Sequence, residues 1–467
     1  MRRAGPVLVL ALSGCGMLLG LDDPTLVAPP LPPDAPPRPD APPPPDAGPP
    51  DAPPPDAPPP VHITVTVSGD GGGHVRSAAL GIDCPGSCGA EVASGSQVTL
   101  VAAVNGGSTF AGWQSGCSGA AECTFSPSVD TTVEAKFTDN SSGHNFIFVT
   151  AETFPVTALT PLSAADALCA QSAATAGLPG TYVAWLSTSA VNAKDRLGSA
   201  RGWVRPDGNP FADTQSDMRS GRIFFPPYLT AKGRPTEEWV ATGTTDQGIA
   251  DPQTCNDYTS TSGNLKAGDT RETTSNWTYF GAHDFGFPCS NKFPIYCFGT
   301  DRQKPVTVTP QPGRLAFLST LSWQSGGGLT SADASCQTDA MSAGKSGTFK
   351  ALLATSGASA ASRFDAAGMP WVRVDGIPIA APGTSPFDDG LQVPLNVTAA
   401  GSYRGFDWIA TGADAPNVMG SVGSTCNDWT VNGANMALKT GLDDTLAWFG
   451  GAVQPCNLTA AVYCFQQ

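Results

Sequence analysis

Histidine is scarce in this 467-residue chain: only His62, His74, His144 and His283 occur. Chemistry that depends on an imidazole base or ligand therefore has few places to occur. Basic residues are also few, with 25 Lys and Arg against 40 Asp and Glu and a formal charge of −15. That balance argues against nucleic-acid and anionic-polysaccharide partners, although a local cationic patch could still depart from the average. The apolar run near the start, Pro6 to Leu12, is far too short to cross a bilayer. It follows two arginines and precedes small residues, the pattern of an export signal. The abundant residues are small or turn-forming, including 53 Gly and 44 Pro.

Residues 1–14 form the expected signal, and the "LSGC" of residues 12–15 resembles the lipobox of bacterial lipoproteins. The resemblance implies cleavage before Cys15 and acylation of that cysteine, so that a membrane is a partner through the N-terminal lipid. The other reading is a secreted protein whose Cys15 stands near its signal by chance. Thirteen cysteines minus Cys15 leave twelve, all from Cys84 onward. An even set in an exported chain points to disulfides. Residues 15–60 make an anchor and stalk, with Asp34, Asp40, Asp46, Asp51 and Asp56 punctuating Pro and Ala. Polyproline II backbone and mutual repulsion would extend the Pro-rich part to roughly 100 Å. A disordered linker of unselected length gives much the same reach. An SH3-type ligand is disfavoured, because Arg38 is the lone basic residue there. The expected location is the bacterial cell envelope, at the outer membrane, facing outward or the periplasm.

Residues 61–138 form an all-β module. "VHITVTVSG", "QVTLVAAV" and "TTVEAKFT" alternate with the strand period, and "GDGGGHV" is a turn. Cys84 and Cys88, and Cys117 and Cys123, are spaced to close two short loops. A small core benefits from such staples; a four-cysteine zinc site is the alternative, without paired CxxC knuckles to support it. The string from Gly107 through Phe137, with Phe110, Trp113 and Phe137, resembles the divergent InlB-type B-repeat of bacterial surface proteins. That resemblance implies a spacing or adhesion-associated module, and the aromatics read as core.

The remainder is a tandem duplication, residues 145–300 and 313–467, with a linker at 301–312. "LSAADALCAQSAATAGLPGTYVAWLSTS" pairs with "LTSADASCQTDAMSAGKSGTFKALLATS", "GWVRPDGNP" with "PWVRVDGIP", "WVATG" with "WIATG", and "FPIYCF" with "AAVYCF". Cys169, Cys255, Cys289 and Cys297 recur as Cys336, Cys426, Cys456 and Cys464, with 128 residues from first to last in both. Constant spacing around loops of changing length suggests a bonded framework, but four cysteines allow three connectivities. The Ala-rich segment predicts a helix with Ser163 as N-cap, Asp166 completing a capping box and Gly177 ending it. Short strands and long loops complete an α+β pattern, with Trp185, Trp203 and Trp371 in the core.

The ordered motifs "FVT", "ADALC", "GTYVAWLS", "DRLG", "WVRPDG", "CNDYT" and "YCF" resemble the bacterial extracellular relatives of the collagen XV/XVIII endostatin domain, a branch of the C-type lectin-like fold. The second copy matches more weakly at its start. The resemblance implies outer disulfides Cys169–Cys297 and Cys336–Cys464, and inner disulfides Cys255–Cys289 and Cys426–Cys456. It does not imply a calcium site: no "EPN" or "QPD" triplet occurs in the copies, and the aromatic follows the Asn-Asp pair where lectins place it before. Zinc and heparin binding are likewise not implied, since the second copy has no histidine and the overall charge of −15 is wrong for heparin. No cofactor is expected, and no metal ligand is assigned.

"TCNDYT" (Thr254 to Thr259) and "TCNDWT" (Thr425 to Thr430) supply the candidate ligand-binding residues. These are Asn256, Asp257, Tyr258 and Trp239 in one copy and Asn427, Asp428, Trp429 and Trp408 in the other. Their amides, carboxylates and rings suit a cation or a sugar; the plainer reading is that short polar side chains cap a loop beside a disulfide. Asp207 and Asp375 read as turn formers. No catalytic residue is assigned, because no histidine recurs and the thiols are expected to be oxidised. The expected protein is a surface-anchored, non-enzymatic binding or adhesion protein for a glycan or a surface protein. A structural spacer is the alternative, and an extracellular hydrolase the less favoured third reading.

Overall fold

The computed structural model describes residues 59–467, apart from residues 106, 281–285, 321, 389, 406–407, 434–436, 442–444 and 446–447. The signal, Cys15, the stalk up to residue 58, and His283 lie outside the described residues.

The first module is a pair of four-stranded sheets. In one, Val61–Ser68 sits between Gly89–Val92 and Thr131–Asp139, with Ser108–Ser115 at the far edge. In the other, Gly73–Ser77 and Val98–Val104 are flanked by Ile82–Cys84 and Cys123–Phe125. Alternation dictates the packing: Val61, Ile63 and Val65 point inward while His62, Thr64 and Thr66 face solvent. Phe110 packs on Trp113 at 5.1 Å and on Phe137 at 5.2 Å between ring centroids. Cys84 is bonded to Cys88 and Cys117 to Cys123.

Each of the following two domains, called heads here, is built on one long helix and a mixed sheet. In the first, Asn145–Val149 pairs antiparallel with Tyr296–Gly299 and parallel with Trp203–Val204. In the second, Arg314–Leu318 pairs in the same two ways with Tyr463–Gln466 and Trp371–Arg373. The helices are Leu162–Ala176 and Gly328–Ser342, and Cys169 and Cys336 on their inner faces are both fully buried. Disulfides Cys169–Cys297 and Cys336–Cys464 tie each helix to an inner strand of its own sheet, Tyr296–Gly299 or Tyr463–Gln466. Cys255–Cys289 and Cys426–Cys456 staple the loops. Trp185, Trp203 and Trp371 are buried.

The expected capping box at Ser163 does not form. Pro161 is the N-cap and no side chain caps the helix. Asp166 is engaged elsewhere: it accepts two hydrogen bonds from Arg196 Nη2, at 2.6 and 2.7 Å, and one from the Ala184 amide at 2.9 Å. The second head repeats this, with Asp333 accepting from Arg363 at 2.6 Å and from the Ala351 amide at 2.9 Å. A charge-assisted tie toward the strand that follows the helix, Tyr182–Ala184 or Phe349–Ala351, outcompetes a local cap. Gly177 does end its helix, at a φ of 74°; a Cβ there would also stand 2.7 Å from the Asn105 side chain of the β module.

The linker is strapped down. His144 Nε2 lies 3.0 Å from the Pro305 carbonyl, the Val306 amide donates to Asp213 at 2.8 Å, and the Gln311 amide donates to the Gly376 carbonyl at 2.9 Å. One contiguous apolar cluster contains Phe146 and Leu186 of the first head, Val306, and Trp371 and Phe465 of the second. Across the junction Asn396 Nδ2 donates to Thr273 Oγ1 at 2.7 Å, in the protein interior. The described chain, from Pro59 onward, is thus one compact unit.

Candidate functional site

The duplicated Cys-Asn-Asp segment is a turn of left-handed helix. Cys255, Asn256, Asp257 and Tyr258 have φ of 55°, 52°, 54° and 63°; Cys426, Asn427, Asp428 and Trp429 have 52°, 53°, 52° and 68°. Four consecutive non-glycine residues in this region cost about 1–2 kcal/mol each, and such residues normally occur singly. The surroundings must therefore over-determine the turn.

Three kinds of contact hold it. Each turn begins at a disulfide cysteine, Cys255 or Cys426. The aromatic at its end is fully buried: Tyr258 donates its hydroxyl to the Thr242 carbonyl at 3.0 Å, and Trp429 donates Nε1 to the Ala354 carbonyl at 2.8 Å. The aspartate ties the turn to a neighbouring loop. Asp257 accepts from the Ser189 amide at 2.8 Å and the Ser189 hydroxyl at 2.5 Å. Asp428 accepts from the Ser356 amide at 2.7 Å and the Ser356 hydroxyl at 2.8 Å. Thr254 and Thr425 complete both sites, each accepting from the aspartate amide at 3.1 Å.

These bonds set the electrostatics. Donation by the Ser189 hydroxyl holds the Asp257 carboxyl below the usual carboxylate range, and donation by the Ser356 amide does the same for Asp428. A carboxylate so stabilised is a weak base, and the Thr254 and Thr425 hydroxyls also donate to Asp257 and Asp428, at 3.3 and 3.1 Å, so each carboxylate is engaged in holding its turn.

The eight candidate residues thus divide by environment. Asp257 and Asp428 are half-buried and engaged by serines. Tyr258 and Trp429 are interior and present no ring face to a ligand. Trp239 is half-buried against Phe280 and Phe287, with centroids at 4.6 and 4.9 Å, and Trp408 is half-buried against the second core. Asn256 and Asn427 are exposed, and their amides bond Thr259 at 2.7 Å and Thr430 at 3.0 Å. Among the described residues no group of three or more His, Cys, Asp or Glu side chains is placed to hold a metal ion.

Asp207 and Asp375 do shape turns, but each also neutralises a buried arginine. Arg205 donates to Asp207 at 3.2 and 2.5 Å and to the Pro226 carbonyl at 3.0 Å. Arg373 donates to Asp375 at 3.2 and 2.6 Å and to the Pro394 carbonyl at 3.2 Å. Burial works to raise both carboxyls, yet the arginine charge and hydrogen bonds outweigh it and hold them low. Sequence reasoning missed these arginines and the serine partners. The available signal was their recurrence: Arg in both "WVR" motifs, and Ser189 and Ser356 at the same place in "LSTS" and "LATS".

The chain is multidomain and mostly β, with few helices and several disulfides. No curated protein matches it. The model of the family described as the divergent InlB B-repeat domain matches residues 63–141, so the chain opens its described part with a module similar to that repeat.

Proposed function

We propose that this is a surface-anchored, non-enzymatic binding lipoprotein of the bacterial envelope. Cys15 would carry the lipid, the stalk and the B-repeat-like module would give reach, and two C-type lectin-like heads of the endostatin branch would meet a glycan or surface protein. The helix, the mixed sheet and the outer and inner disulfides of each head support the lectin-like reading. One observation carries the binding reading: both heads maintain a costly left-handed turn whose outward residue is an exposed asparagine, Asn256 or Asn427. Backbone held in such a conformation by everything around it is the mark of preorganisation.

The test is a glycan array with the oxidised full chain, with and without calcium. Selective retention, weakened when Asn256→Ala and Asn427→Ala are combined, is expected; no selective retention in either condition sinks the glycan reading. Intact mass of the mature protein tests the anchor, and an unmodified Cys15 rules it out. A structural spacer is favoured by a different observation, the strapped linker and the buried junction between the heads, which suit a rigid rod as well as a receptor.

A further inference from the structure

The two heads differ most informatively beside their long helices. In the second head the space between helix and neighbouring hairpin is filled. Arg404 reaches into it and donates to the carbonyls of Ser319 and Thr320, both at 3.1 Å. Asp339, on the helix, is buried and accepts from the Thr320 amide at 2.5 Å. The register of the duplication identifies their counterparts. Arg404 and Thr236 occupy the same hairpin position, their amides donating to Asn396 and Tyr228 carbonyls respectively, and Asp339 and Ser172 each stand three residues after the helix cysteine. Two large charged side chains are thereby replaced by two small hydroxyl ones, and the first head has a cleft of about 550 Å³ there. Its walls include Ser172 and Thr236, with Phe154 and Leu168 supplying apolar surface.

The same hairpin brings charge. Lys232 and Arg234 line the cleft, are exposed, and have no side-chain hydrogen bond or ion pair among the described residues. The second head has Ala400 and Ser402 at these positions. Glu152 also lines the cleft, so the lining carries two cations against one carboxylate. A second hollow of about 430 Å³ shares Thr175, Lys232 and Arg234 and runs on to Asn105, Ser108 and Asn140 of the β module.

We propose that this cleft is a binding site for a carboxylated sugar at the end of a glycan. The volume lies in the range of small-ligand sites. Lys232 and Arg234 would take the carboxylate, as ammonium and guanidinium donors do. Gln171, Ser172, Thr175 and Glu152 offer hydroxyl partners, and Phe154 with Leu168 offers a face for ring C–H groups. Following sugars would run along the second hollow, which makes the β module a wall of the site. The single Glu152 disfavours polyanions, consistent with the acidic chain as a whole. The proposal rests on the glycan-binding reading above and adds to it a site in the first head alone, lined by other residues than Asn256 and Asn427.

The experiment uses the oxidised full chain against glucuronate-, galacturonate- and sialate-terminated oligosaccharides and the neutral methyl ester of each. At least one acid should bind about tenfold or more tightly than its ester, the equivalent of losing one charge-assisted contact. Lys232→Ala with Arg234→Ala should abolish that difference. Thr236→Arg, which imports the side chain that fills the second head, should abolish binding of acid and ester alike while near-ultraviolet circular dichroism stays unchanged. Equal affinity for acid and ester, or binding indifferent to both sets of variants, overturns the proposal. Retention of neutral glycans alone overturns it while leaving the general glycan reading intact; retention of none overturns both.

Discussion

The two heads repeat one framework over one difference. Outer disulfides spanning 128 residues, the Asp–Arg tie beneath the helix, the buried Arg–Asp turn and the left-handed Cys-Asn-Asp turn are common to both. What differs is the floor beside the helix, open in the first head and plugged by Arg404 and Asp339 in the second. Groups that share hydrogen bonds with several others cannot change singly without leaving a buried polar atom unmet. The cleft residues have fewer such obligations, so the copies could diverge there without disturbing the rest.

The largest effects should come from breaking what the heads share. Removing an outer disulfide, Cys169→Ala with Cys297→Ala, should cost roughly 5 kcal/mol by chain entropy against roughly 4 for the inner pair Cys255→Ala with Cys289→Ala, because the closed loops span 128 and 34 residues. Denaturant titration of the oxidised variants gives both values, and equal losses would remove loop length as the reason. Next, Arg373→Met should cost about 3–5 kcal/mol, because it strands Asp375 in a half-buried site. Arg205→Met should cost less, since the side chain of Asp207 is 35% exposed against 18% for Asp375. Hydrogen exchange resolved by head would show the asymmetry or its absence.

A smaller contrast lies at the left-handed turns. Trp429→Phe removes the bond to Ala354 and leaves a cavity, for about 2–3 kcal/mol. Tyr258→Phe should cost about 1 kcal/mol, since the Thr242 carbonyl keeps the Ser187 amide and the Thr244 hydroxyl as donors. Thermal melts of the two variants make the comparison, and a larger loss for Tyr258→Phe would contradict it. The smallest effect is in pH. Asp207, Asp257, Asp375 and Asp428 are all held below the ordinary carboxylate value, so their stabilisation is complete above about pH 4 and declines as pH falls further. Asp207 and Asp375 accept matching sets of hydrogen bonds, with the Asn209 side-chain amide at 2.9 Å standing where Asp375 has the Tyr403 hydroxyl at 2.7 Å, so both heads should lose this stabilisation over the same acid range. Exchange rates measured down an acid series would check it, and clearly separate losses would contradict it.

The strands of the β module, the long helices and the inward tryptophans were legible because each follows from a local period, two for strands and 3.6 for helices. Ser163 shows where local reasoning stops. The sequence places a cap and a carboxylate three residues apart, and a distant arginine takes the carboxylate instead. Asp257 is the same lesson in the candidate site. Beside Asn256 and a cysteine it has the look of a ligand, but Ser189, 68 residues earlier, occupies both its oxygens.

From composition and spacing alone come the even cysteine set from Cys84 onward, the Pro-rich composition between Pro29 and Pro60, the β module and the duplication, since these depend on residue kinds and intervals along the chain. The burial of Arg373, the left-handed turn and the open cleft depend on which side chains meet across tens of residues. Thr236 and Arg404 differ by one substitution in a repeat, and their neighbours in sequence say nothing of the space they fill. That space exists only once helix, hairpin and the Ala151–Phe154 stretch have come together, so only the folded chain could reveal that one head is open and the other closed.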